Sequence, residues 1–349
     1  MLSRKIAVTS FGLLLCLCLG SLFWPAGPAG AGPVLERVRA NKTIRVGVSH
    51  GLRGFSWQDA NGNWQGLDID LARAVAAAVL ADPGKVSCMV VDAANRFPLL
   101  LAGKLDLLLR NTTYTFNREA ALGVRFTAIY CYDGQTFMVP ADSPSHRLED
   151  LNGASISYVR RTTHEKTLAD FFQSRGWTFT GLPFDNLAGA VEAFFAGRSQ
   201  VLTADRGELA AIRTQAPAGP SAFRILPETI SKEPLAAVVP AGDDEWLLIV
   251  KWVLYALMEA EERGITQAKA RTLLTTSPNP SDQRFLASDG LPEKTLTLKP
   301  GWVLRVIEAV GNYGEIYERH LGQDSPLHLD RGLNRLWKDG GLLYAPPFQ

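Results

Sequence analysis

Residues Thr43–Val91 read TIRVGVSHGLRGFSWQDANGNWQGLDIDLARAVAAAVLADPGKVSCMVV, and this stretch decides the fold class. Its opening, Thr43–Ser49, alternates apolar with polar residues and is rich in β-branched side chains, the pattern of a strand. Ala60-Asn61-Gly62-Asn63 is a turn. Asp68–Leu80 predicts a helix with Asp68 placed to cap it. Val86–Val91 is again strand-like. Arg96–Ala102 then reads as a short helix and Leu105–Leu109 as a buried strand. Strand, helix, strand, helix, strand in that order implies an open parallel sheet with helices on its faces.

Further along, Phe126–Val139 reads as one long extended segment, followed by Pro140 and Pro144. A crossing between two lobes is expected near Phe137–Pro140. A second α/β pattern follows, with strands at Ser155–Val159 and Val201–Thr203. Its helices fall at Thr162–Ser174, Ala188–Phe195 and Asp205–Thr214. Phe223–Leu226 and Leu235–Val239 are extended and lead back. Asp243–Arg263 reads as a long helix whose opening acids suit a helix N-terminus. Pro300–Gln349 carries further helical runs and ends in Gly- and Pro-containing loops. The expected organisation is α/β: a discontinuous first lobe over 32–138 and 231–349, with a second lobe, 139–230, inserted in it. Open α/β sheets bind ligands beyond the carboxyl ends of their strands, so two facing sheets put their strand-end loops into one cleft.

The first 31 residues differ from the rest. Arg4 and Lys5 precede an apolar run from Ile6 to Trp24, then prolines, then Ala29-Gly30-Ala31. That is the pattern of a secretory signal peptide cleaved after about Ala31. Cleavage would take the formal charge from +1 to about −1. With 46% hydrophobic and 20% charged residues the chain is ordinarily globular, with no field that argues for nucleic acid. Leu247–Met258 is apolar but too short to span a membrane and reads as a core helix. Cys88 and Cys131 sit in apolar, strand-like runs and read as buried thiols. With no matching His spacing they make no metal site.

Three places carry polar groups at strand ends. Arg110-Asn111-Thr112-Thr113-Tyr114-Thr115-Phe116-Asn117-Arg118 follows the strand ending at Leu109. Its hydroxyls, amide and guanidiniums suit a carboxylate, or form a solvated loop capping the next helix. Arg161-Thr162-Thr163-His164-Glu165 opens a helix, either as an anion site or with a Thr as a simple cap. His164 reads as a surface residue of that helix start. Asp205 follows a strand and precedes a helix, so it pairs with an ammonium or merely caps.

Longer segments carry a resemblance: Gly66-Leu67-Asp68-Ile69-Asp70-Leu71, Arg110-Asn111-Thr112-Thr113, Tyr132-Asp133-Gly134-Gln135, Ile230-Ser231-Lys232-Glu233-Pro234-Leu235, Ala309-Val310-Gly311-Asn312-Tyr313-Gly314-Glu315-Ile316 and Tyr344-Ala345-Pro346-Pro347. With these the chain resembles the general L-amino-acid-binding periplasmic solute-binding proteins over about Leu35 to Phe348. The resemblance implies a two-lobed type II binding protein with a C-terminal helical extension. It implies a monomer without cofactor or metal that captures a free L-amino acid by lobe closure. The partner is an inner-membrane ABC permease with its ATPase. Arg118 would hold the ligand α-carboxylate with help from Asn111 and Thr113. Arg96 would reach the side-chain end, Thr162 would donate from the second lobe, and Asp205 would take the α-ammonium. Phe55 and Tyr114 are candidates for the pocket wall. Two other readings of such a scaffold are a periplasmic dehydratase and a sensory receptor subunit.

Two departures from the family pattern stand out. Val159-Arg160-Arg161-Thr162-Thr163 replaces a Gln-Thr-Gly-Thr-Thr run. Arg160 and Arg161 are therefore expected to bias the site toward anionic ligands, unless both point to solvent. Ser157 and Ser199 stand where the family carries a cysteine pair, which fits loss of a disulfide.

Overall fold

The computed structural model describes residues 32–348. The signal-peptide expectation lies outside them. The strands run β1 Ile44–Val48, β2 Trp57–Gln58, β3 Trp64–Gln65, β4 Val86–Val90, β5 Leu107–Leu108 and β6 Val124–Asp133, then β7 Gln135–Pro140, β8 Ser155–Val159, β9 Thr180–Phe184, β10 Val201–Asp205, β11 Phe223–Ile225 and β12 Glu233–Pro240. They form two five-stranded sheets, ordered β4-β1-β5-β12-β6 and β11-β7-β10-β8-β9, and β2 and β3 make a small hairpin. In the first sheet β1 pairs in parallel with β4 and β5. In the second, β8 pairs in parallel with β9 and β10. Each sheet has an antiparallel flank: β12 against β5 and β6, and β7 against β10 and β11.

The chain passes between sheets at Gly134, because β6 ends at Asp133 in the first sheet and β7 begins at Gln135 in the second. The expected crossing at Phe137–Pro140 is thus too late by a few residues. Asp133-Gly134-Gln135, a polar interruption with an Asp-Gly turn signal, breaks what otherwise reads as one extended run, and the switch falls there. The chain returns between β11 and β12.

The helix expected at Asp68–Leu80 spans Leu67–Leu80 and starts without a side-chain cap, on Gly66 at φ +121°. A Cβ on Gly66 would lie 2.1 Å from the Phe55 carbonyl oxygen, so only glycine fits there. Asp68 is instead buried within the first turn, accepting from the Tyr130 hydroxyl at 2.8 Å.

The long helix Asp244–Glu262 opens on Asp243, whose carboxylate serves two helices. One oxygen accepts from the Trp246 amide at 2.8 Å. The other accepts from the amides of Val34 and Leu35, in the first turn of the helix Pro33–Asn41, at 2.8 and 3.1 Å. Orphan N–H groups of both helix starts are satisfied by one buried anion. Trp246, fully buried, also donates its indole N–H to the Asp106 carbonyl at 2.8 Å.

The C-terminal region folds back on the first sheet. Tyr313 donates to the Tyr130 carbonyl at 2.6 Å. Asn334 pairs with both backbone groups of Tyr132 on β6, an outer strand of that sheet, at 2.6 and 3.0 Å. An asparagine side chain thus stands in for a neighbouring strand and closes part of an open sheet edge. His320 Nε2 lies 2.7 Å and the Arg319 guanidinium 2.8 Å from the Asp70 carboxylate. Burial pushes the Asp70 pKa up, but His320 and Arg319 outweigh it and hold it at about 2.

Two predictions follow from these contacts. Asp70 is depressed in the folded state, so its stabilisation is complete above about pH 4 and lost as pH falls toward 2. Its shift corresponds to about 2 kcal/mol, so Asp70→Asn should lower stability at neutral pH by about that amount. Its urea midpoint should then fall less steeply than the wild type's below about pH 4. Separately, the Ser157 hydroxyl donates to Ser199 Oγ at 2.7 Å in a buried site. The Ser157→Cys/Ser199→Cys variant should oxidise to a disulfide and gain about 2–4 kcal/mol. Thiol titration in denaturant and melting with and without reductant read this out; four free thiols after oxidation, rather than the two of Cys88 and Cys131, would refute the pairing.

Candidate functional site

The parallel strands of both sheets deliver their carboxyl ends to one place. From the first sheet, β1 leads to Ser49, β4 to Arg96 and β5 to the segment Arg110–Arg118. From the second, β8 leads to Thr162–His164, β9 to Leu187 and β10 to Asp205 and Glu208. A cavity of about 30 Å³ lies between these ends. Its first-sheet wall is Arg96, Arg110, Asn111, Thr113 and Arg118. Its second-sheet wall holds Val159, Thr162, Thr163, His164, Leu187, Asp205 and Glu208.

The first wall is cationic, and its charges meet only neutral oxygens. Arg96, 3% exposed, has a long 3.4 Å contact to the Thr112 hydroxyl and no partner for Nε. Arg110 donates to the Val91 carbonyl at 3.1 Å, and Arg118 to the Thr113 carbonyl at 2.7 Å. Among the described residues none of the three forms an ion pair. Burial pulls the Arg96 pKa well below its ordinary value, and the neighbouring Arg110 and Arg118 charges add to this. Asn111 sits at φ +35° and accepts from the Ser49 hydroxyl at 2.8 Å.

The second wall holds a buried ion pair. His164 Nε2 donates to Asp205 Oδ1 at 2.7 Å, and both residues are buried. Burial would lower the His164 pKa, but the Asp205 carboxylate overrides it, with Glu208 and Glu233 adding, and raises it to about 9. The imidazole is therefore charged at neutral pH. Thr162 lines the cavity while its hydroxyl donates to the Val159 carbonyl at 2.7 Å.

Glu233, at the start of β12, stitches the two walls together. Its Oε2 accepts from Thr113 at 2.6 Å and from Thr163 at 3.0 Å, and its Oε1 accepts from Ser231 at 2.7 Å. At the crossing, Asp133 Oδ2 accepts from the Gly207 amide at 2.9 Å. A Cβ on Gly207 would meet that carboxylate and the Phe55 ring at 2.8 and 2.9 Å. Burial, reinforced by the Asp205 charge, raises the Asp133 pKa to about 8.

The structure thus brings six of the nine expected site residues to the cavity: Arg96, Asn111, Thr113, Arg118, Thr162 and Asp205. Phe55 is buried behind it against Gly207. Tyr114 stacks on Phe126 with centroids 4.5 Å apart and hydrogen-bonds Glu119. Arg161 is exposed at φ +61°, its amide held by Glu165 at 3.0 Å, and Arg160 is exposed beside Asp185 at 3.4 Å. Both arginines leave the strand end on the solvent side, so the anion bias expected from them has no basis. His164 is buried, not on the surface. Reading by sequence placed Arg110 in the carboxylate-suited segment without a role of its own, and gave Glu208 and Glu233 no part in the site. The spacing Asp205-x-x-Glu208 was available as a sign of two carboxyls on one helix face.

His164, Asp205 and Glu233 place donor atoms within 4.8 Å of one another, a spacing a metal ion could bridge. Yet His164 and Asp205 are spent on each other and Glu233 on three hydroxyls. Three guanidiniums nearby oppose a further cation. The donor set fits an ion-pair and hydroxyl network.

Residues 44–323 match the family model of bacterial extracellular solute-binding proteins, family 3. The chain belongs to that family. It is 44% identical over 337 residues to the general L-amino acid-binding periplasmic protein AapJ of Rhizobium johnstonii, covering 96% of this chain and 98% of that one. It is 42% identical to the glutamate/glutamine/aspartate/asparagine-binding protein BztA of Rhodobacter capsulatus, over 93% of this chain and 95% of that one. A periplasmic binding protein of an ABC transporter from Brucella ovis, with glutathione bound, superposes with a TM-score of 0.87 at 39% identity. That match covers 90% of this chain and 99% of the other. The fold is thus the two-lobed one of family 3 binding proteins, with helix-flanked sheets. Among the described residues no helix is long and apolar enough to cross a membrane.

Exposed ion pairs contribute about 0–1 kcal/mol. The Arg160→Ala/Arg161→Gly variant of this family 3 protein should therefore keep its glutamate-to-alanine affinity ratio within about threefold. Isothermal titration checks it; a selective loss of glutamate would bring the arginines back into the site.

Proposed function

We propose that this chain captures a free L-amino acid by closing two lobes around it and hands it to an inner-membrane ABC permease with its ATPase. The observation that carries the reading is the cavity itself. Cationic and anionic groups from two sheets converge on it, and the guanidiniums lack ionic partners. Unpaired buried charge is costly, and a bound zwitterion relieves it. Arg118, with Asn111 and the Thr113 backbone N–H, holds the α-carboxylate. Arg96 faces the side-chain end, and Thr162 donates its backbone N–H from the second lobe, because its hydroxyl is held by Val159. Asp205, tied to His164, takes the α-ammonium. Relatives named as amino-acid-binding support this ligand class.

The lobes of this reading are 32–133 with 233–348, and 135–225 inserted, joined through Gly134 and the return segment before Glu233. Closure about two such connections is a hinge motion, with no covalent step. The protein works as a periplasmic monomer, released from residues 1–31 by cleavage.

The test is a thermal-shift screen of residues 32–349, refolded to strip carried ligand, against the common amino acids. A ligand at about a hundredfold excess over its Kd stabilises by about 2.7 kcal/mol. Several amino acids should shift the midpoint. Arg118→Ala should abolish the shifts, losing about 2–5 kcal/mol of binding. No shift with any amino acid would overturn the reading.

A further inference from the structure

Glu208 lies in the first turn of the helix Arg206–Thr214, 7% exposed, and lines the cavity. Across it stand Arg96 and Arg110. These opposite charges act on one another, yet no ion pair links them among the described residues. Arg96 Nε is buried without a hydrogen-bond partner. An acceptor-only carboxylate and donor-only guanidiniums therefore line one small cavity from opposite sheets, and lobe opening would admit a group between them.

We propose that Glu208 reads the side-chain end of the bound amino acid and makes the cleft a site for a primary carboxamide, glutamine or asparagine, held between Glu208 and Arg96. The inference rests on the amino-acid reading of the cleft. A carboxamide is the side chain that has both things this gap asks for. Its carbonyl accepts from Arg96, and its NH₂ donates to Glu208. A ligand carboxylate satisfies the arginines but meets Glu208 as a like charge, so it enters only as Glu208 takes up a proton. Burial, which raises the Glu208 pKa, eases that protonation. A cationic side chain meets the guanidiniums, and an apolar one leaves both sides without partners.

Other groups facing this gap titrate or carry charge: Arg118 beside the first wall, His164 at the start of the helix Thr163–Ser174, Asp205 at the end of β10, and Glu233 on β12. They act on the α-carboxylate and α-ammonium shared by all amino acids. His164 and Asp205 also act on Glu208 itself, so the ratio is compared between wild type and Glu208→Gln to isolate Glu208.

The experiment is isothermal titration of glutamine, glutamate and alanine into the refolded mature chain between about pH 5.5 and about pH 8.5, a window above the ordinary Glu pKa. At the upper end glutamine should bind at least about tenfold more tightly than glutamate, and the ratio should narrow as pH falls, because only glutamate binding takes up the proton. Isosteric Glu208→Gln, whose amide donates to a carboxylate, should raise glutamate affinity and flatten the pH dependence of the ratio. Glu208→Ser should weaken glutamine by a larger factor than it weakens alanine. Equal weakening of all three ligands would place Glu208 at the α-ammonium and overturn the proposal. So would an unchanged glutamine-to-glutamate ratio. Wild type that binds no amino acid would bring down the cleft's reading and this inference together, whereas intact amino-acid binding with an unmoved ratio sinks this inference alone.

Discussion

The carboxylate of Glu233 is where the two sheets meet in chemistry as well as in space. It accepts hydroxyls from Thr113, at the end of a first-sheet strand, and from Thr163, at the start of a second-sheet helix. A third comes from Ser231, in the segment that returns the chain to the first sheet. A buried carboxylate needs such donors, since desolvation without them would be prohibitive. The two walls of the cavity are therefore held in register by a demand for hydrogen bonds at one anion. At the other crossing the Asp133 carboxyl, its pKa raised to about 8, accepts from the Gly207 amide.

Around that anchor the charges are distributed unevenly. The first sheet contributes guanidiniums bonded only to neutral oxygens, and the second contributes carboxyls, one of them already joined to a protonated histidine. Low polarity strengthens each of these charges and forbids leaving them unmatched. This tension is what makes the cavity a binding site in the proposed reading, while the apolar clusters on either side keep the walls rigid. The cluster of Met138, Leu202, Ala204 and Phe194 backs the second sheet, and that of Val91, Leu100, Leu108 and Val238 backs the first.

Most of the fold was legible because periodicity survives in single segments. Strands β1, β4, β8 and β10 lie within a residue or two of where their alternating patterns put them. The crossing at Gly134 was missed: Asp133-Gly134 marks a break between β6 and β7, but that the chain changes sheet there is a tertiary event. The site was legible where polar residues follow a strand, as at Arg110–Arg118 and Asp205. At two positions a local rule competed with the site reading. Asp205 and Thr162 each could have been a simple helix cap. In the structure neither Asp205 nor Thr162 caps its helix. Asp205 turns to His164, Thr162 bonds the Val159 carbonyl, and Glu165 holds the Arg161 amide. His164 was misjudged because a helix start is usually exposed, whereas this residue is buried against Asp205 at the end of β10. Ser157 and Ser199 show the opposite case, where a paired substitution pointed to two side chains that the fold sets in contact.

The double capping by Asp243 has a consequence in time. The helix Pro33–Asn41 is the first element of the described chain, yet the acceptor for its leading amides lies 209 positions further on. Until that part of the polypeptide has emerged, the helix has no partner for those groups, and closing so long a loop is slow and entropically opposed. The beginning of the chain is thus among the last parts to be pinned. A protein stopped short of Asp243 would carry a frayed leading segment, open to proteases, however well the sheet behind it had formed.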